Sequence, residues 1–211
     1  MMNKIIFILF LFFAGCETAK DAKISTDNLK KISPEKGIYS VVIDQSELLW
    51  IGKEISTKIH TGTLDLIGGT VQVDNNNNIN GSVTIRMSSI NVTDLQGRAK
   101  EMLEGHLRSS DFFDVEIHPE ATLTFESKSF NQVKNQISFE GQLTIKDISN
   151  SIVFDATLLE ATPYLKAKGI LSFDRSKFNV RFRSGSFFEN LGDKLILDDI
   201  DINIKLVTKK Q

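Results

Sequence analysis

The chain holds few side chains that could do chemistry. Its one thiol is Cys16, and its only imidazoles are His60, His106 and His118. A single cysteine excludes a disulfide, a CxxC pair or a thiolate cage within the chain. The histidines lie 46 and 12 positions apart with no His-x-x-x-His or His-x-Glu spacing, so each is read as making a local structural bond, His106 at a helix end and His118 before Pro119. No metal ligand set is assigned. No Gly-x-Ser-x-Gly elbow occurs, and Ser184-Gly185-Ser186 lacks the helix that follows a phosphate-binding loop. The acid pairs Asp198-Asp199 and Glu101 with Glu104 read as opposite strand faces and a solvated helical face, not as an acid and base flanking a substrate. Arg175, Lys177, Arg181 and Arg183 form a basic cluster. Alternation sets Phe178, Val180 and Phe182 against them, so the cations read as an outer, solvated face with an ion pair to Asp174 or Asp193. Contact with a lipid phosphate is the weaker reading. No convergent nucleophile, base and acid emerge, and the expectation is a protein that is not an enzyme and carries no cofactor.

Cys16 is informative through its position. Ile5 to Gly15 is an uninterrupted apolar run of 11 residues behind Lys4. A membrane-spanning helix needs about 20 such residues, so the run reads as the hydrophobic region of a signal peptide. Phe13-Ala14-Gly15-Cys16 resembles a bacterial lipobox, with small residues before a cysteine whose thiol would accept diacylglycerol; Phe13 stands where leucine is commonest. Residues 1–15 are therefore expected to be a signal peptide. Residues 16–36 are expected to be a lipidated cysteine and a flexible tether, because their charges alternate in sign with little apolar content to offset ordering entropy. Residues 37–211 form the folded domain. The expected location is the bacterial cell envelope: exported, and held to a membrane by N-terminal acyl chains such as palmitate, facing the periplasm or the surface.

Charge and composition narrow the partners. Lys and Arg number 25 against 27 Asp and Glu, a formal net charge of −2, which leaves no field for holding nucleic acid by counterion release. At 41% hydrophobic and 25% charged residues the chain can build a core.

The elements that must position any site are strands. From Ile38 onward apolar residues fall on alternate positions, as in Tyr39-Val41-Ile43, Leu48-Trp50-Gly52, Thr70 to Val73, Val83-Ile85-Met87, Leu123-Phe125, Ile137 to Ile145, Ile152 to Leu158, Leu165 to Phe173 and Ile200 to Leu206. Short polar stretches such as Asp74 to Asn78 and Lys146 to Asn150 separate them, which suits antiparallel hairpins. Pro119 and Pro163 stand at strand beginnings, where a missing donor is tolerated. Only Gly97 to Leu107 carries helical spacing. An all-β domain of this kind is a sandwich or a closed barrel, and closure removes the edges. The expected fold is an antiparallel, lipocalin-like closed β-barrel of about eight strands with one short helix. Gly141, Ala156, Ala167 and Gly169 lie on the inward phase, and small side chains there are expected to leave room for one elongated ligand.

Five segments carry a family resemblance: Asp44-Gln45-Ser46 with Leu49 to Lys53; His60-Thr61-Gly62; Gly105 to Asp114, containing His-Leu-Arg-Ser and Asp-Phe-Phe-Asp; Gly141 to Lys146; and Asp174 to Phe178. Over about Gly37 to Val207 the chain resembles the YceI-like proteins, lipocalin-like barrels associated with polyisoprenoid lipids in the bacterial envelope. It departs in having Lys177-Phe178-Asn179 where the family often has Asp-Phe-Gly, and in a longer loop from Ser184 to Lys194. The resemblance implies a membrane-anchored protein of an envelope-lipoprotein branch that sequesters or carries an apolar, isoprenoid-like molecule. The inward set Ile85, Met87, Phe125, Phe139, Leu143, Phe154, Leu158, Ala167, Gly169, Leu171, Phe173 and Ile202 is the candidate cavity lining. The alternative is a filled barrel acting as an envelope scaffold or interaction protein without a ligand.

Overall fold

The structure, a computed structural model, describes residues 31–211. The expected signal peptide, Cys16 and most of the expected tether lie outside the described residues. The alternating segments form nine antiparallel strands: β1 (Gly37–Val41), β2 (Glu47–Lys53), β3 (Ile59–Val73), β4 (Ile79–Val92), β5 (Glu120–Asn131), β6 (Gln136–Ile145), β7 (Ile148–Glu160), β8 (Tyr164–Asp174) and β9 (Asp199–Lys210). One helix, α1 (Gly97–Arg108), lies between β4 and β5.

β1 and β2 are two pieces of one stave. β1 pairs with the C-terminal parts of β3 and β9, and β2 pairs with their N-terminal parts. A 3-10 turn at Ile43–Gln45 interrupts the stave. Across the break, Val42 N–H donates to the Val207 carbonyl at 2.8 Å, and Ser46 Oγ accepts from Val207 N–H at 3.0 Å. With β3 also paired to β4, the sheet closes on itself as the expected barrel of eight staves, and no long strand edge is left for another chain to extend.

Local chemistry sets the hairpins. Asp74 accepts the N–H groups of Asn76 and Asn78 at 2.7 and 2.8 Å, and Asn77 takes the left-handed conformation at φ 62. The side-chain amide of Asn78, followed by these backbone donors, holds the Asp74 carboxyl below its ordinary range. The stretch from Lys146 to Asn150 is not all loop, because Ile148, Ser149 and Asn150 already pair with Ile145, Thr144 and Leu143. The turn is Lys146-Asp147 alone, both at positive φ (52 and 59), the twist that a two-residue hairpin needs. β3 reaches back to Ile59, well beyond Thr70 to Val73. Glycines at 62, 68 and 69 dilute its pattern, and register shifts at Thr63/Asp65 and Leu66/Gly68 break its phase. Pro119 and Pro163 immediately precede β5 and β8.

The connections differ between the two ends of the barrel. One end has only the tight turns 74–78, 132–135 and 161–163; the other has the 54–58 and 146–147 hairpins and two long connections, 93–119 and 175–198. Buried residues fall into two clusters that follow this division, the larger joining α1 and the long connections, the smaller at the tight-turn end.

Candidate functional site

At the end carrying the long connections the barrel encloses a cavity of about 490 Å³, within the few hundred cubic ångströms usual for a small-molecule site. Its wall is hydrocarbon: Leu48 and Trp50 from β2, Leu64 from β3, Val83 to Ile90 from β4, Ala121 and Leu123 from β5, Leu143 and Ile145 from β6, Leu171 and Phe173 from β8, and Ile200 to Ile204 from β9. The opposite half is nearly full, with a void of about 70 Å³. Val83, Leu123, Leu171 and Ile204 line both spaces and form a waist between them.

Below the waist three rings from β5, β6 and β7 fill the barrel. Phe139 and Phe154 stack at 5.2 Å, and Phe125 meets them edge-on at 5.4 and 6.3 Å. A side chain at Gly81 would collide with the Phe125 ring, its Cβ falling 2.7 Å from Cζ. Gly81 makes room for a ring, while a Cβ at Gly141 or Gly169 would meet the carbonyl of Thr124 or Asp155 on the neighbouring strand. The expected lining divides between the two spaces. Ile85, Met87, Leu143, Leu171, Phe173 and Ile202 line the large cavity. Phe125, Phe139, Phe154, Leu158, Ala167 and Gly169 line only the small void. Leu48, Trp50, Val83 and Ile145 belong to the large cavity's wall as well, and their place in the alternating sets was the signal that could have found them. The Trp50 ring lies flat against Gly62 of β3, where any Cβ would come within 2.4 Å of it.

The mouth is roofed by α1 and by segments 109–119 and 175–198. No residue of α1 is fully buried; Leu103 and Leu107 pack half-buried against the core, and polar contacts tie the helix to the end of β4. Glu104 Oε1 accepts Val92 N–H at 2.8 Å, Lys100 Nζ donates to Asn91 Oδ1 at 2.8 Å, and Arg108 donates to the Ile90 carbonyl. Glu104 is thus a strand-end acceptor rather than half of a solvated acid pair. His106 sits edge-on between Phe112 and Phe182, at 4.9 and 4.3 Å, with Asp111 at 3.5 Å. His60 Nδ1 lies 2.8 Å from Asp94, and His118 Nδ1 lies 2.9 Å from Asp147. Each imidazole has its own carboxylate, and among the described residues no three His, Cys, Asp or Glu side chains converge as a metal site.

The basic cluster is not one outer face. Segment 175–183 is no strand: Arg175–Phe178 is a 3-10 turn, and Asn179 and Arg183 have positive φ (57 and 49). Phe178 and Val180 are buried as the alternation implied, but Arg175 is buried with them at 1% exposure. Its guanidinium donates to the carbonyls of Leu197, Val180 and Ile196 at 3.1 to 3.2 Å and pairs with Asp198 at 3.2 Å, not with Asp174 or Asp193. Burial pushes its pKa down while Asp198 opposes the shift. Asp198 Oδ2 in turn accepts the hydroxyls of Ser184 and Ser186 at 2.8 Å each, so one ion pair between a buried Arg175 and a half-buried Asp198 ties the 175–198 connection together. The polar part of the cavity lining is thus Lys53, Glu54, Lys58, His60, His106 and Arg183, with the buried Arg175 beneath the roof.

A family described as the YceI-like domain matches residues 39–208. Several solved structures share the fold, two of them over most of this chain. BcnA of Burkholderia cenocepacia superposes with a TM-score of 0.61 at 22% identity, covering 79% of this chain and 98% of that one. A polyisoprenoid-binding domain from Saccharophagus degradans, implicated in plant cell wall breakdown, superposes with a TM-score of 0.56 at 13% identity, covering 84% and 100%. No curated protein matches the chain.

Proposed function

Because the chain belongs to the YceI-like family, we propose that it is a binding protein that sequesters or carries an apolar, isoprenoid-like lipid without altering it chemically. The cavity of about 490 Å³ carries this reading, with walls that are mostly aliphatic and aromatic and few polar side chains among them. A chain longer than the cavity enters by its tail and leaves its polar end at the mouth. The Saccharophagus degradans domain is named for polyisoprenoid binding, and that name supports an isoprenoid tail over other hydrocarbon. The test is native mass spectrometry of protein purified from its host, followed by organic extraction. A stoichiometric apolar molecule, displaced by added polyprenol and recovered unchanged, is the expected result. Protein that arrives empty and takes up no polyprenol would favour the scaffold reading; a chemically converted ligand would point to an enzyme.

The anchor belongs to the same proposal. With residues 1–15 removed, acyl chains on Cys16 would hold the barrel to an envelope membrane, and Cys16→Ser should move the protein from the detergent phase to the aqueous phase or leave it unprocessed. The described chain starts at the filled end, where Ile32 N–H donates to Asn135 Oδ1 at 2.9 Å. The fourteen residues 17–30 reach at most about 50 Å, and a tilted wall of about twelve residues stands roughly 30 Å tall. A tether from the filled end is therefore long enough to let the mouth face the same bilayer.

A further inference from the structure

We propose that the mouth end is a bilayer-docking face, through which the ligand of the preceding section passes between membrane hydrocarbon and cavity without entering water. The inference rests on that reading for its cargo and on the surface for its partner. Six large apolar side chains stand exposed on the elements that frame the mouth: Ile55 and Ile59 of the β2–β3 hairpin, Met102 of α1, and Phe187, Phe188 and Leu197 of the 175–198 connection. Met102 is 66% exposed and Phe188 is 50% exposed. Single exposed apolar residues are ordinary on a protein surface, but a set gathered around one opening marks an interaction site.

These elements form one surface. Ile55 N–H donates to the Leu195 carbonyl at 3.0 Å and Leu197 N–H to the Lys53 carbonyl at 2.8 Å, so hairpin and connection lie side by side. Beside the mouth a polar hollow is lined by Lys146, Arg181 and Arg183 with one carboxylate, Asp111, and Arg183 borders the apolar cavity as well. None of these three cations, nor Lys58 or Lys194, has a carboxylate at ion-pair distance among the described residues. Segment 175–198 carries five cations against three carboxylates, whereas 93–119 carries three against six, so the cationic side of the mouth is the 175–198 side. Arg181 packs over the Phe187 ring at 4.8 Å, which sets a cation directly behind an exposed aromatic. Apolar side chains that can enter the acyl region, backed by cations at the level of lipid phosphates, fit a bilayer containing anionic lipid better than a protein partner.

The test asks which end meets the membrane. In the full chain with Cys16→Ser, one new cysteine is placed at Phe188 or, at the opposite end, at Val133, and labelled with a polarity-sensitive dye. Vesicles containing phosphatidylglycerol should shift the emission of the dye at 188 to the blue and leave the dye at 133 unchanged, and high salt should weaken the shift. No shift at 188, or an equal or larger one at 133, overturns the proposal. A second measurement separates docking from binding. Phe187→Ser with Phe188→Ser should slow uptake of a fluorescent polyprenol from vesicles by about tenfold or more, because membrane attachment scales with buried apolar area. Uptake from detergent solution should be unchanged. Unchanged uptake from vesicles overturns docking, whereas a native chain that takes up no polyprenol from detergent overturns the ligand reading instead.

Discussion

Above and below the waist, the same strands with the same alternation enclose opposite things. Below, rings from three neighbouring strands arrive at one level and leave about 70 Å³; above, the walls leave about 490 Å³. The upper half is not short of aromatics, but its rings pack at the periphery of the cavity, Trp50 onto Gly62 of the wall and Phe173 edge-on to Phe178 of the roof at 5.5 Å. The ends differ in the same sense. Turns of a few residues close the lower end, whereas the upper end is roofed by a helix and two long connections that rest on the strand ends through polar contacts. An inward apolar pattern therefore specifies a barrel, and the level at which rings meet specifies whether that barrel is hollow.

The strongest perturbation of this contrast is expected at Arg175. Arg175→Met removes the donors for three carbonyls and leaves the half-buried Asp198 without its cation, a loss toward the lower end of the about 3–5 kcal/mol that breaking a fully buried pair costs. Denaturant titration measures the loss. Hydrogen exchange should rise first across 176–198, and a uniform rise over all strands would mean that roof and barrel unfold as one unit. Next comes Ala167→Trp, which overpacks the filled half and should cost about 1–3 kcal/mol while leaving apolar-probe binding intact. Its counterpart Ile85→Trp puts a ring into free space, so stability should change by about 1 kcal/mol or less while probe binding is lost. If Ala167→Trp abolished binding and Ile85→Trp did not, the assignment of the two halves would be reversed.

Acid should produce the smallest effect, at the rim. Lys53 Nζ, 2.6 Å away, and then the Ser172 side chain hold the Asp201 carboxyl below its ordinary range. For Asp94 burial pushes the pKa up, but the Thr61 N–H at 2.9 Å and the His60 ring outweigh it and leave it lowered. Carboxyls lowered in the folded state stabilise above their unfolded values, near pH 4, and lose that contribution as pH falls through the folded ones. Both groups are partly open to solvent, so the effect is modest and weakened by salt. Melting temperature followed from pH 6 to 3 should fall less steeply in Asp201→Asn than in the native chain, and parallel curves would remove Asp201 from the account.

What was legible in the sequence was whatever depends on a residue and its near neighbours. Alternation located the strands, and the spacing of Ala99, Met102, Leu103 and Leu107 located α1 to within a residue of its end. Half of the expected lining surrounds the large cavity because phase decides inside from outside. Phase is silent on height within the barrel, and height separates Leu143 above the waist from Phe139 below it on a single strand. Arg175 misled for another reason. A charge beside alternating apolar residues reads as solvated, and only the fold reveals carbonyls of residues 180, 196 and 197 converging on it.

The divided stave has a consequence for how the chain comes to be folded. β1 and β2 find their second neighbour only in β9, and Ser46 bonds to Val207 across 161 positions of sequence. Such closure carries the entropic cost of a very long loop and belongs to the slow end of folding rates. A chain still being synthesised can build the meander from β3 to β8, but it cannot shut the ring until the last strand is made. Through that interval it carries two bare strand edges of the kind that recruit other chains. A product truncated before Asp199 is accordingly an open sheet and not a smaller barrel.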